Sequence, residues 1–184
     1  MLTVNCRNTR NIHEAAYRYF EGEITEPCEI EGAPIKPLLA PSVSEQAKLI
    51  AAEIWSLIAQ HRVEASQVAV LVSSTAKHRM YEALRAQPLP GSVRWAVEDH
   101  CANNCVVVDT IGRFKGLESA VVFLWLSVDL DPTEDASIIY VGTSRAKSML
   151  YVTGPAHAVD RVLKLPSGAT AGERTTTSPP STLG

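Results

Sequence analysis

The chain has 184 residues, 46% of them apolar and 20% charged, with a net charge of −3. Those values describe an ordinary globular protein with one folded core, and exclude a disordered, collagenous or disulfide-dense chain. The small negative charge excludes polyanion binding by bulk attraction, so nucleic acid has to be met by a local basic patch; no apolar run approaches the roughly 18 residues of a membrane span and no signal-peptide pattern opens the chain, so a cytoplasmic protein with no membrane contact is expected.

Leu2-Thr3-Val4 reads as a short extended segment. Ile12, Ala15, Ala16, Tyr19 and Phe20 follow at helical spacing, with Asn8 or Thr9 placed to cap the helix. A domain seldom begins so abruptly, and the first strand reads as the continuation of something upstream. From 22 to 41, prolines and glycines break the chain into short pieces, and edge strands are expected near 28–30 and 35–39. Ser42-x-x-Glu45 is a capping box. It opens a helix whose apolar face is Ala47, Ile50, Ala51, Ile54, Leu57 and Ile58.

Residues 68–72 form a continuous run of apolar residues, the mark of a buried strand. Ser73-Ser74-Thr75 closes that strand with hydroxyls able to cap the next helix, from 77 to about 87, which Pro88 and Pro90-Gly91 stop. A strand at 92–97, a polar loop at 98–104 and buried strands at 106–109, 120–126 and 149–152 complete the pattern. Between these last strands lie the turn Gly112-Arg113-Phe114-Lys115-Gly116 and a helix ending in Ser144-Arg145-Ala146-Lys147. The alternation predicts an α/β, three-layer sandwich, a mainly parallel sheet flanked by helices. Parallel sheets bind ligands at the carboxyl ends of their strands, so two basic clusters placed there suggest an anion, phosphate first. A last amphipathic helix is expected from 156 to 165, and 166–184, rich in Ser, Thr, Gly and Pro, reads as a disordered tail. The domain is therefore 1–165.

Cys6, Cys28, Cys101 and Cys105 lack the paired spacing of a zinc site and are expected to be reduced. No metal site is expected, since the five histidines are scattered without ligand spacing. Trp55, Trp95 and Trp125 read as core residues.

Three local patterns, in this order, resemble those of the superfamily 1 helicases of the UvrD/Rep type. Leu2-x-x-Asn5-Cys6-Arg7-Asn8-Thr9-x-x-Ile12 is similar to motif IV, usually written Asn-Tyr-Arg-Ser. Asp109-Thr110-Ile111-Gly112-Arg113-Phe114-Lys115-Gly116-Leu117-Glu118 is similar to motif V, Thr-x-His-x-x-Lys-Gly-Leu-Glu. Tyr140-Val141-Gly142-Thr143-Ser144-Arg145-Ala146-Lys147 is similar to motif VI, Tyr-Val-Ala-x-Thr-Arg-Ala. The resemblance covers residues 1 to about 165 and implies the second, C-terminal RecA-like domain of such a motor, a P-loop NTPase-like fold without its own P-loop. No Gly-x-x-x-x-Gly-Lys-[Ser/Thr] occurs in the chain. The partner implied is an N-terminal RecA-like helicase domain bearing the Walker loop, and ATP with Mg²⁺ is implied only in combination with it.

By that resemblance, Arg145 and Arg7 are arginine fingers, which stabilise charge developing on a transferring phosphoryl group. Glu118 accepts a hydrogen bond from the nucleotide ribose, Gly116 gives the turn ahead of Leu117, and Cys6 stands where relatives carry a ring stacked on the adenine. Thr110, Lys115 and Arg113 are candidates for contact with single-stranded DNA, by hydroxyl and by charge. Gly112 replaces the motif V histidine. About a hundred residues separate Arg7 from Thr110, too few for the large domain many UvrD-type proteins insert there. Read without the resemblance, Arg145 is a surface arginine at a helix C-terminus and Glu118 and Lys115 are solvated loop residues; the alternative function is a non-catalytic module that retains the helicase fold and binds nucleic acid or protein.

Overall fold

The computed structural model describes residues 4–5, 7–23, 25–73, 77–99, 103–127 and 130–164, without the side chains of 4, 5 and 164. Cys6, Cys101 and the expected tail at 166–184 lie outside them.

The apolar runs become strands and the periodic stretches become helices. In chain order these are β1 (Val4–Asn5), α1 (Arg10–Tyr17), β2 (Glu26–Pro27), β3 (Lys36–Leu39), α2 (Val43–Ala59), β4 (Val68–Val72), α3 (Lys77–Arg85), β5 (Arg94–Val97), β6 (Cys105–Thr110), β7 (Ser119–Trp125), α4 (Ala136–Thr143), β8 (Ala146–Gly154) and α5 (Ala156–Lys164). Six strands form one sheet in the order β3-β8-β7-β4-β6-β5, and β1 pairs with β2 apart from it. Every strand pair among the described residues is parallel. Pro37 is accommodated because β3 is an edge strand, paired only with β8.

Two cores follow from the period-2 geometry of strands. Val68, Val70 and Val72 of β4 point to one face, where Ile50, Ile54 and Leu57 of α2 and Met80 and Leu84 of α3 cover them. Ala69 and Leu71 point to the other face, against Ile12 of α1, Ile139 of α4 and Val159 of α5. With both faces covered, all five residues of β4 are buried, which is why its sequence shows no alternation. Each such Val or Leu side chain contributes about 1.5–3 kcal/mol of burial free energy. Gly142 lets α4 approach β7, since a Cβ there would lie 2.7 Å from Leu124 Cδ1.

Ser42 caps α2 as expected, its Oγ accepting from Glu45 N at 3.2 Å, and the Glu45 carboxylate accepts from Ser42 Oγ at 2.7 Å. Four expectations need correction. The strand near 28–30 sits instead at Glu26–Pro27, because 30 and 31 give their carbonyls to the start of α1. α4 ends at Thr143, and Ala146 and Lys147 begin β8. Trp55 is 47% exposed on the outer side of α2, while Trp125 is fully buried, its Nε1 donating to Gln46 Oε1 at 2.7 Å. Fully buried Cys105 is disulfide-bonded, and Cys28 is the free thiol among the described cysteines. A disulfide needs a second thiol within bonding reach in the folded chain, which the absence of zinc spacing does not test.

Candidate functional site

The chain from β6 to β7 decides where the motif residues lie. Thr110, the last residue of β6, is level with Val72 at the carboxyl end of β4, whereas Val121 is level with Val68 at its amino end. Residues 111–118 therefore travel the height of the sheet, ~20 Å at about 3.3 Å per strand residue. They do so in tight turns: Phe114 N donates to Thr110 O at 3.1 Å, and Leu117 N to Phe114 O at 3.1 Å. Ile111 and Phe114 anchor the segment in the core beneath α4. Gly116 has φ +93°, in the left-handed region that favours glycine, so its place in the turn is one a side chain would strain.

This crossing separates the candidate residues into two groups. At the amino ends of β7 and β8 lie Glu118, Arg145 and Lys147, and Arg7 reaches the same place from the segment before α1. Arg7 Nε is 2.7 Å from Glu118 Oε1, and Lys147 Nζ is 3.4 Å from Glu118 Oε2. Arg145 donates through Nε to Val141 O at 3.1 Å and through Nη1 to Leu117 O at 3.4 Å. Two cations thus pair with one carboxylate and a third lies beside them, giving this end of the sheet an excess of positive charge. Their field is felt at Tyr140, whose hydroxyl is pushed up by burial and by Tyr17 and drawn back by Arg7 and Arg145. Beside it, Tyr140 packs on Phe20 with ring centroids 4.8 Å apart and edge-on to Tyr17 at 5.9 Å.

The second group stands at the carboxyl ends. A cleft of about 410 Å³ is lined by Ser73 after β4, Thr110, Gly112 and Lys115 after β6, Ser127 after β7, and Asp135, Ile138 and Val141 on the α4 side. Thr110 Oγ1 accepts from Arg113 N at 3.3 Å and keeps its own proton to donate. Ser73 is 8% exposed, and its Oγ has no hydrogen-bond partner among the described residues. An added Cβ at Gly112 would meet nothing within 4 Å, so the position leaves room at the cleft wall. Arg113 turns away: its Nε pairs with buried Asp109 at 2.9 Å and its Nη2 donates to Glu98 O at 3.2 Å. The Lys77 ammonium, hydrogen-bonded to Glu98, holds that carboxyl below the usual range.

The expected pairing of both basic clusters with carboxyl-end loops is therefore corrected. Only Thr110, Arg113 and Lys115 lie there, because the 111–118 crossing delivers Glu118 to the opposite end, where Arg145 and Arg7 already are. Cys6 lies outside the described residues. Three participants carry no role in the sequence reading: Lys147 stands there only within the motif VI stretch and its basic cluster, Ser73 only as a cap, and Asn8 only within motif IV and as a cap. Ser73 could have been found as a hydroxyl at the carboxyl end of a central strand; nothing linear marks Lys147. Among the described residues no helix is long and apolar enough to cross a membrane.

No family model and no curated protein matches the chain. Among solved structures it is similar to the C-terminal domain of a possible DNA helicase from Lactobacillus plantarum WCFS1, at 18% identity and a TM-score of 0.63, over 81% of this chain and 86% of that one. The helicase nonstructural protein 10 of an arterivirus aligns at 16% identity and a TM-score of 0.44, over 89% of this chain and 28% of that one. That of PRRSV aligns at 15% and 0.46, over 91% and 27%. The six-stranded parallel sheet flanked by helices is thus the α/β fold of that Lactobacillus plantarum domain.

Proposed function

We propose that this chain is the C-terminal motor domain of an ATP-dependent superfamily 1 DNA helicase of the UvrD/Rep type, working with a Walker-bearing RecA-like domain and single-stranded DNA. The observation that carries the reading is convergence. Arg7, Glu118 and Arg145 come from three separate segments, each chosen by its own motif, and they meet at one edge of the sheet. Nothing in composition or helix periodicity requires that.

In this reading ATP with Mg²⁺ supplies the phosphoryl group and part of its charge neutralisation, and the Walker domain supplies the metal ligands. The residues of this chain fit the other side of such a group. Arg7, Arg145 and Lys147 offer cationic donors to phosphate oxygens, and Glu118 keeps lone pairs for a ribose hydroxyl beyond those used by Arg7 and Lys147. Rigid guanidiniums at the phosphoryl group stabilise the charge that develops during transfer. Thr110 and Lys115 face the carboxyl-end cleft and would contact the DNA backbone there. The segment 111–118 joins the two, so that strand contact and nucleotide contact share one short stretch of chain.

A second reading, a non-catalytic nucleic-acid or protein binding module, draws on the internal engagement of both guanidiniums: Arg7 on Glu118, Arg145 on two carbonyls. One experiment separates them. The purified chain alone should not hydrolyse ATP with or without single-stranded DNA, and adding the first domain of a superfamily 1 helicase should restore DNA-stimulated turnover. Partner binding without turnover would favour the module, and robust turnover by the chain alone would defeat the idea of an incomplete site.

A further inference from the structure

Asn8 was read as a helix cap, and it does not cap. The N-cap of α1 is Thr9, and no side chain there accepts a cap hydrogen bond. Asn8 is instead 4% exposed, and its Nδ2 donates to Ser144 O at 3.0 Å and also to Ala146 O. These two carbonyls flank Arg145. Next to it, Thr9 N donates to Lys147 O at 3.1 Å. The segment is also tied from its other side: Cys28 Sγ donates to Asn8 O at 3.0 Å, and Arg10 N and Asn11 N donate to Ile30 O and Glu31 O at 2.8 and 3.1 Å.

We infer that Asn8 is a positioning residue that fixes Arg7 and Arg145 relative to one another, so that both guanidiniums are presented to a single anionic group. Arg7 is the residue immediately before Asn8, and Arg145 is the residue between its two acceptors. A carboxamide is the side chain of this length that brings two donors on one nitrogen; a leucine of similar volume brings none, and a serine brings one. The backbone on both sides is buried or paired, so a lost donor leaves a carbonyl without its partner and loosens the junction that carries both arginines. Groups that act together on one reacting centre are sensitive to displacements near 1 Å, so a loosened junction costs function before it costs the fold. The inference rests on the nucleotide reading for its purpose, but its geometry stands apart from that reading.

The test uses the full 184-residue chain and two substitutions, Asn8→Leu and Asn8→Ser, with inorganic pyrophosphate as the anionic probe. Amide exchange at Thr9 reports the junction; the side-chain Nε–Hε resonances of Arg7 and Arg145 report the anion. In the unsubstituted chain both guanidinium resonances should move with one binding constant, and exchange at Thr9 should be slow. Asn8→Leu should speed Thr9 exchange and weaken pyrophosphate about tenfold, as expected for two lost hydrogen bonds, with exchange in β4 unchanged. Asn8→Ser, the milder change, should fall between. Wild-type exchange at Thr9 and wild-type pyrophosphate binding in both variants would overturn the inference. Guanidiniums that ignore pyrophosphate would overturn the shared anion site together with the nucleotide reading, with Thr9 exchange still deciding whether Asn8 holds the junction. If Asn8→Leu does not fold, the serine variant decides by the same two readouts.

Discussion

At the amino ends of β7 and β8, Arg7 and Lys147 pair with Glu118 and Arg145 lies beside them on the Val141 and Leu117 carbonyls, the segments being tied by the Asn8 side chain and the Thr9 backbone. At the carboxyl ends of β4, β6 and β7 the arrangement differs: hydroxyls and Lys115 share an open cleft with Asp135 and the apolar Ile111, Leu130, Ile138 and Val141, and Arg113 is paired with Asp109. The first region is a crowded charge cluster, suited to a compact and highly charged group. The second is a cleft of mixed polar and apolar lining with a single cation, Lys115. The difference teaches that this fold divides its candidate chemistry between opposite ends of one sheet, and that two stretches reach both: 111–118, and α4 with the residues after it, where Val141 lines the cleft and gives its carbonyl to Arg145.

That division can be broken most sharply at Arg145. In the chain recombined with a Walker-bearing domain, Arg145→Ala should lower ATP hydrolysis on the order of 10³-fold, the scale of other arginine fingers. Binding of single-stranded DNA without nucleotide should stay within about twofold, since no DNA-contact candidate is lost. Steady-state turnover and fluorescence anisotropy on the same samples measure both. Equal losses in the two assays would mean that the ends are not separate sites.

The complementary change is Lys115→Ala at the cleft. It should leave basal hydrolysis unchanged and weaken single-stranded DNA modestly, reducing the slope of log affinity against log salt by about 0.7 if one phosphate contact is removed. An unchanged salt slope would remove Lys115 from the DNA surface. Arg113 offers the internal control: its guanidinium is spent on Asp109 and the Glu98 carbonyl, so Arg113→Ala should act through the loop and not through the salt slope.

How much of this could be read from the string of residues differs between the ends in the same way. The layers and the buried strands were legible, because apolar runs and helical spacing are local properties: β4 at 68–72 and α2 from its capping box lie where expected. Arg7, Glu118 and Arg145 were legible as motif residues. Where they would meet was not, because that depends on β6 and β7 flanking β4 on opposite sides, a fact of strand order. Lys147 and Asn8 escaped for a related reason. Their partners are distant in sequence, 29 positions to Glu118 and 136 to Ser144, and a residue's preference for a cap says nothing about a carbonyl that far away. The pairing of Arg113 with buried Asp109 is not legible either, because it depends on how the turn after β6 folds back on that strand.

The smallest expected effect distinguishes the ends by acidity. His13 on α1 is 2% exposed and stacked on Tyr17 with ring centroids 4.0 Å apart. Burial pulls its pKa below the ordinary value of 6.5, against smaller opposing effects from the Thr25 backbone and Glu14. The folded chain therefore binds this proton more weakly than the unfolded chain does. Stability from the neutral ring is complete above about pH 6.5 and falls as the pH drops below it toward the folded value, by at most about 1.4 kcal/mol per pH unit for one proton. Since α1 carries the Arg7 segment, the loss should appear as faster amide exchange in α1 than in α3 when the pH is lowered from 7 to 5.5, after correction for intrinsic exchange. His13→Phe keeps a ring against Tyr17 and cannot titrate, so it should remove that difference. If α1 and α3 loosen together in both proteins, the acid response is global, and the amino-end junction is no more sensitive to protonation than the rest of the sheet.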